Sequence, residues 1–343
     1  MKSYDQFKEF YSEELFAELL VLDGIRRDIL KKCGFTLVIL ILLAGLVSLL
    51  LAIDSIESVA FVFVSWTLCL VGCFFAVWYF TKDYRATFKS MIIEPMIRFI
   101  DQNLKYAPEG SIDIITFRRA EIFERYVNMF DGEDLVSGKV DKTKVLFSEV
   151  KAQYQDDESG DSVLSSVALA LAQRNPFLAL WALIRKQKHN VFNGLFFVAD
   201  FHKSFYGKIL VMPDKAEKFL GRFGSLMQSH NFIHGELMKM DNAEFEKEFV
   251  VYGTDQIQAR YVLTPLIMEK ILDFRKKTGE AIFLSFKDSM LYIAVSCRSN
   301  KFEPPYFKSL VDYIDTYHYF QDLILFIGIV DEFNLNTRIW TKE

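Results

Sequence analysis

Two uncharged apolar blocks, Phe35–Ile53 and Val59–Phe80, separated only by Asp54-Ser55-Ile56-Glu57-Ser58, constrain this chain more than any other feature. At about 1.5 Å per helical residue, about 19 and about 22 residues reach roughly 28 and 33 Å, close to the hydrocarbon thickness of a bilayer. Each block can span once. The acidic five-residue link leaves room for little but a tight turn, which predicts a helical hairpin with its backbone groups satisfied internally.

Orientation is read from the basic residues. Arg26, Arg27, Lys31 and Lys32 precede the first block, Lys82, Arg85 and Lys89 follow the second, and the link has neither Lys nor Arg. Both termini are therefore expected in the cytoplasm, in the cell inner (cytoplasmic) membrane, with the chain multi-pass. A cleaved signal peptide fits poorly, because the first block starts late, is long, and follows an acidic segment of about 30 residues. No Asp, Glu, Lys, Arg or His lies within either block, which disfavours an ion pathway through the hairpin alone.

Some 260 residues follow the second block, enough for a core of their own. From Lys82 onward about 34 Lys and Arg face about 36 Asp and Glu, so there is no field to attract nucleic acid, and none is expected as a partner. The cysteines form no disulfide framework: Cys33 stands at the membrane edge, Cys69 and Cys73 within the second block, and Cys297 alone. Cys69 and Cys73 share a helical face, and packing is the expected role, since a lipid-embedded hairpin offers no further metal ligands.

Along the chain, Phe7, Phe10, Tyr11, Leu15, Leu19, Leu22, Ile25 and Ile29 recur at helical spacing and predict an amphipathic helix from Tyr4 to Lys32. Its acidic polar face favours packing on protein over lying flat on lipid. Asp83–Tyr106 reads helical with a kink or restart at Pro95, and Ile114–Tyr126 as a further short helix. Alternation predicts a hairpin of Asp134–Val140 and Val145–Gln153 around Asp141-Lys142-Thr143. Asp156–Asp161 reads as a solvated acidic loop without the order of an EF-hand. The apolar runs Val163–Ala172 and Phe177–Ile184, interrupted at Arg174 and Pro176, read as a helical flap on the membrane or a packed insertion.

Further strands are expected at Phe192–Phe201, Lys208–Met212 and Phe245–Tyr252, with an extended piece near Glu236–Met240. A helix is expected at Asp214–Phe223 and another at Asp255–Lys277. The hairpin Ala281–Phe286 with Met290–Ser296 and a long helix, Tyr306 to about Val330, close the chain. Few strands alternate strictly with helices. The fold class expected is α+β: a two-helix transmembrane hairpin, then a cytoplasmic domain with mainly antiparallel strands and a long C-terminal helix. Residues 1–32 are assigned to the amphipathic helix, 33–81 to the hairpin and 82–126 to a helical linker. Residues 127–343 are assigned to the α+β domain, with an apolar insertion at about 156–190.

The residues that could carry chemistry do not complete a motif. His230 and His234 stand four apart, as zinc ligands on a helix do, but Asn231 and Gly235 argue a loop and the protease glutamate is missing, so no metal is expected. Asp200 and His202 alternate to one strand face and Lys203 to the other. A serine-hydrolase elbow, a phosphate-binding loop and a dinucleotide glycine fingerprint are absent, and no cofactor is expected.

The runs Gly132-Glu133-Asp134-Leu135-Val136-Ser137-Gly138, Phe147-Ser148-Glu149-Val150 and Phe192-Asn193-Gly194-Leu195-Phe196-Phe197-Val198-Ala199-Asp200-Phe201-His202-Lys203 are shared with a known family. So are Phe245-Glu246-Lys247-Glu248-Phe249-Val250-Val251-Tyr252, Asp255-Gln256, Ala259-Arg260-Tyr261 and Leu263-Thr264-Pro265. On these the chain resembles, over nearly its whole length, an uncharacterised family of bacterial two-pass membrane proteins (domain of unknown function 3137). The resemblance implies no activity, and the Val163–Ile184 insertion is longer and more apolar than the linker usual there.

Two functions remain. The first is a non-catalytic, membrane-anchored cytoplasmic interaction or scaffold module whose partners are the bilayer and a protein or its own copies. The alternative is a membrane-surface enzyme whose polar site gathers Asp134, Glu149, Asp200, Asp255 and Arg260.

Overall fold

The structure, a computed structural model, describes residues 2–51, 57–123, 126–155, 188–201, 203–214, 235–297, 301–333 and 335. The Asp156–Asp161 loop, the Val163–Ile184 insertion, His202, His230, His234 and all but the first residue of the expected Asp214–Phe223 helix lie outside them. The chain forms two compact units, residues 1–102 with 301–326, and residues 103–300 with 327–343.

The first unit is helical. A capping box at Ser3 and Gln6 starts α1 (Tyr4–Phe10), one π-helical turn follows at Tyr11–Leu15, and α2 (Phe16–Leu51) continues without a break. α3 (Glu57–Phe88) returns through a second π turn, Lys89–Ile93, into α4 (Glu94–Ile100), which Pro95 enters at its first turn. α9 (Tyr313–Ile327) completes the unit. The amphipathic stripe is buried here except at Ile25: Phe7 stacks on Phe320 and Phe10 on Phe99, each at 4.1 Å between ring centroids, and the Tyr11 hydroxyl donates to Val311 O at 3.0 Å.

Beyond that stripe the helices lose their protein cover. The most apolar windows of α2 and α3 are only 6% buried, whereas a core helix of this hydropathy would be mostly enclosed. Both are long and apolar enough to cross a membrane. They touch where the sequence allows: a side chain at Gly72 would meet Leu40 Cδ1 at 3.3 Å, and Trp66 Nε1 donates to Ser48 Oγ at 3.1 Å. Gly45, the other glycine that could permit close approach, faces open space.

The second unit is built on nine antiparallel strands ordered β1-β2-β3-β4-β9-β8-β5-β7-β6. These are β1 (Leu104–Ala107), β2 (Met129–Val140), β3 (Thr143–Gln155), β4 (Lys188–Asp200), β5 (Lys208–Pro213), β6 (Glu236–Met238), β7 (Phe249–Gly253), β8 (Ile282–Lys287) and β9 (Met290–Ser296). Among the described residues the helices of this unit are α5 (Ile114–Arg119), α6 (Ala243–Glu248), α7 (Gln256–Val262), α8 (Pro265–Thr278) and α10 (Ile329–Glu332). Central strands β4, β5, β8 and β9 are buried on both faces, which is why they read as continuous apolar runs. On one face Phe117, Phe192, Phe196 and Phe283 share a core with α5. Glu121, just past α5, is clamped by Lys208 Nζ at 3.0 Å and by Lys287. Burial pushes its carboxyl up, but the two lysines outweigh that and hold it below the usual range.

Antiparallel α+β architecture is thus what the sequence predicts, and five local expectations fail. The helix from Asp83 ends at Ile100, because Asp101 turns extended and Leu104–Ala107 joins the sheet. The helix expected over Ile114–Tyr126 is limited to Ile114–Arg119. The strand expected at Phe245–Tyr252 begins with α6, whose first amides at Glu244 and Phe245 are bound by Asn242 at 3.1 and 3.0 Å. The Asp255–Lys277 helix is cut in two at Thr264, which caps α8 ahead of Pro265, and the last helix starts at Tyr313, well after Pro304 and Pro305.

Candidate functional site

A β-bulge creates the one close group of carboxylates found among the described residues. Counting back from the turn, Val136 pairs with Phe147, but Glu133 pairs with Glu149, so Asp134 and Leu135 together oppose Ser148. Their amides leave β3 and bind Pro108 O at 3.0 Å and Gly110 O at 3.1 Å. Asp134 sits in the left-handed region with φ 62°, a conformation that aspartate tolerates better than most side chains. Gly132 leads into the bulge because any side chain there would lie 2.8 Å from Glu149 O and from Ser111 Cβ.

The result is Glu133, Asp134 and Glu149 with ligand oxygens all within 4.8 Å of one another. Asp134 is fully buried and Glu149 nearly so. Tyr106, on β1, donates its hydroxyl to Asp134 Oδ1. Burial first, and then the charges of Asp134, Glu133 and Glu149, push the Tyr106 phenol far above its ordinary pKa, so it stays a donor. Glu133 directly opposite Glu149 is a like-charge pair that a sheet built for stability alone would avoid. Three carboxylates at this spacing form an oxygen donor set of the kind that hard divalent cations take.

Of the sequence-nominated residues, only Asp134 and Glu149 meet. Asp200 ends β4 five residues beyond Leu195, the partner of Glu149, which is roughly 17 Å along the strand. Asp255 and Arg260 follow β7, five strands from β3, or roughly 24 Å across the sheet. Asp255 caps α7, accepting from the amides of Ile257 at 2.7 Å and Gln258 at 3.2 Å, a contact worth about 0.5–2 kcal/mol. Arg260 pairs with Asp241 at 3.6 Å, both largely exposed. Such a pair contributes about 0–1 kcal/mol. His230 and His234 fall outside the described residues.

Glu133 and Tyr106 are the members that sequence reasoning misses. Tyr106 is hidden by the helical reading of Asp83–Tyr106, although Pro108 two residues on disfavours a continuing helix. On the opposite face of the sheet, an open groove of about 780 Å³ is lined by Arg119, Lys139 and Lys144 around Leu146, Val198 and Tyr292. It contains none of the nominated residues.

Residues 190–335 match the model of a family described as Protein of unknown function (DUF3137). The matched part runs from β4 to the end of the C-terminal helices and includes the Asn193-Gly194 and Asp255-Gln256 motifs, while the two long apolar helices and the carboxylate group lie before it. No curated protein and no solved structure matches the chain.

Proposed function

We propose that this chain is a membrane-anchored cytoplasmic interaction module, held by α2 and α3 in the inner membrane with both termini in the cytoplasm. The observation that carries the reading is the pair of apolar helices whose most apolar windows are left 6% buried, with side chains a bilayer would cover. Basic residues precede the first span and follow the second and are absent from the link, which supports the orientation.

The partner-binding half of the reading rests on a surface of the sheet unit. Edge strand β6 exposes Leu237, and the neighbouring α7 exposes Ile257 and Tyr261 one turn apart; Ile257 is 77% exposed. Gln256 Nε2 ties α7 to β6 by donating to Lys239 O at 2.9 Å. Among the described residues β6 is the last strand of the sheet, and an apolar patch beside a sheet edge is what a docked protein or a second copy would cover. A photoreactive residue at position 257 of the full chain, in native membranes, should give an adduct of discrete mass. Leu237→Asp should abolish it. No discrete adduct from 257 would contradict the interaction reading.

The second reading, a membrane-surface enzyme, has one observation in its favour: the buried carboxylates Asp134 and Glu149 beside Glu133 and the Tyr106 donor.

A further inference from the structure

The first unit contains an amphipathic groove between α2 and α3. Its volume is about 590 Å³, within the range of sites that hold small molecules. Leu30, Leu37, Phe74 and Val77 wall it along the helices, and Gly34 leaves space open in it. Arg26, Thr81, Arg85 and Tyr306 line its other end. From Arg26 to Leu37, and from Phe74 to Arg85, the helices rise roughly 16 Å. Over that length the lining changes from cationic to apolar on both walls.

The charged end is not neutralised. Asp23 serves both Arg26 and Arg27, at 2.9 and 2.8 Å, and Glu303 serves both Arg85 and Lys89, at 4.0 and 3.5 Å. Arg85 is more than a third exposed, with Glu303 beyond hydrogen-bond length. The three segments at this level, residues 23–32, 82–89 and 301–308, carry nine Lys and Arg against four Asp and Glu. Phe307, 89% exposed, and Lys308 project at the same level, an aromatic and a cation of the kind that sit among headgroups.

From this gradient we infer that the groove is a binding site for an anionic phospholipid, with one acyl chain between Leu37 and Phe74 and the phosphate at Arg85. The inference rests on the bilayer-anchor reading. Basic pockets between membrane helices on the cytoplasmic side suit anionic headgroups, and each Lys or Arg near the surface strengthens the attraction severalfold.

The test uses the full chain in detergent, with phosphatidylglycerol and phosphatidylcholine of matched chains added and bound lipid read by native mass spectrometry. Wild type should retain one phosphatidylglycerol in preference to phosphatidylcholine. A Cβ at Gly34 meets no other atom within 4 Å, so Gly34→Phe is expected to occupy the groove and should lower retention about tenfold, the effect of losing the burial of roughly two methylene groups. Gly45→Phe, on the same helix, facing equally open space and outside the groove lining, should leave retention unchanged. Arg85→Gln should reduce the preference for phosphatidylglycerol about fivefold. Equal retention by the Gly34 and Gly45 variants, or no preference between the lipids in wild type, overturns the proposal. Alkaline carbonate extraction, run in parallel, separates the two claims. A chain that resists extraction but shows equal retention loses only the groove, and a chain released by carbonate loses anchor and groove together.

Discussion

Gly194→Ala is expected to destabilise the sheet unit by about 3 kcal/mol or more, because conformational strain and overpacking of about 1–3 kcal/mol each fall on one residue. Gly194 has φ +152°, a backbone region that glycine enters freely and alanine does not. It lies mid-sheet, between Val150 of β3 and Ser296 of β9. A Cβ there would stand 2.1 Å from Val295 O and 2.7 Å from the Cys297 amide, both backbone atoms of the neighbouring segment that cannot swing aside. Next to it, Asn193 clasps the same segment: the Cys297 amide donates to Asn193 O at 3.1 Å, and Asn193 Nδ2 donates to Cys297 O at 3.2 Å. The Asn193-Gly194 pair is therefore a device for bringing β4 close to the end of β9. Thermal unfolding of the full chain in detergent measures the effect. A melting curve matching wild type would show that the strands can part at no cost, and would refute this account of the motif.

Asp23→Ala should cost the first unit about 3–5 kcal/mol, the range for removing one member of a buried ion pair. Asp23 and Arg26 are 3% and 8% exposed. The Asp23 carboxylate also accepts from Ser309 Oγ at 3.2 Å and the Leu310 amide at 3.4 Å, while Arg26 Nη1 donates to Tyr306 O at 3.2 Å. One carboxylate thereby fixes the 306–310 segment to the start of α2. Arg27→Ala is the control, since Arg27 is 67% exposed and its loss should change stability by about 0–1 kcal/mol. Burial pushes the Asp23 carboxyl up, but hydrogen bonds from Arg26, Leu310 and Ser309 and the charge of Arg26 outweigh it and hold the group below its ordinary range. A lowered folded pKa gives stability that is complete above the unfolded value of about 3.9 and fades as pH falls through the folded one. Wild type should therefore lose this contribution only in strong acid, and Asp23→Ala should lack that step. Equal melting of the Asp23 and Arg27 variants would contradict the pairing described.

What could be read from the sequence follows from how local each cause is. The two long apolar helices were legible because about 20 apolar residues stand in a row in the chain. The hairpins β2–β3 and β8–β9 were legible because alternation and a short polar turn are written side by side in the chain. α6 was not, since Phe245 and Phe249 satisfy a strand's composition equally well, and only the Asn242 cap turns the backbone helical. The carboxylate group was half legible. Asp134 and Glu149 stand out as acids in strands, but counting from the turn pairs them directly, and the bulge that brings Glu133 opposite Glu149 is set by Gly132 and by carbonyls at Pro108 and Gly110. Arg260 illustrates the limit for long side chains. Its partner, Asp241, comes from a loop whose position depends on the whole β6–β7 edge.

The orientation proposed for the chain is measured directly by a pair of reporter fusions. A reporter joined after Glu343 should behave as cytoplasmic and one inserted at Ser55 as external, the pattern set by basic residues before Phe35 and after Phe80. A carboxyl-terminal reporter found outside, or both reporters found on one side, would contradict the anchor and its orientation.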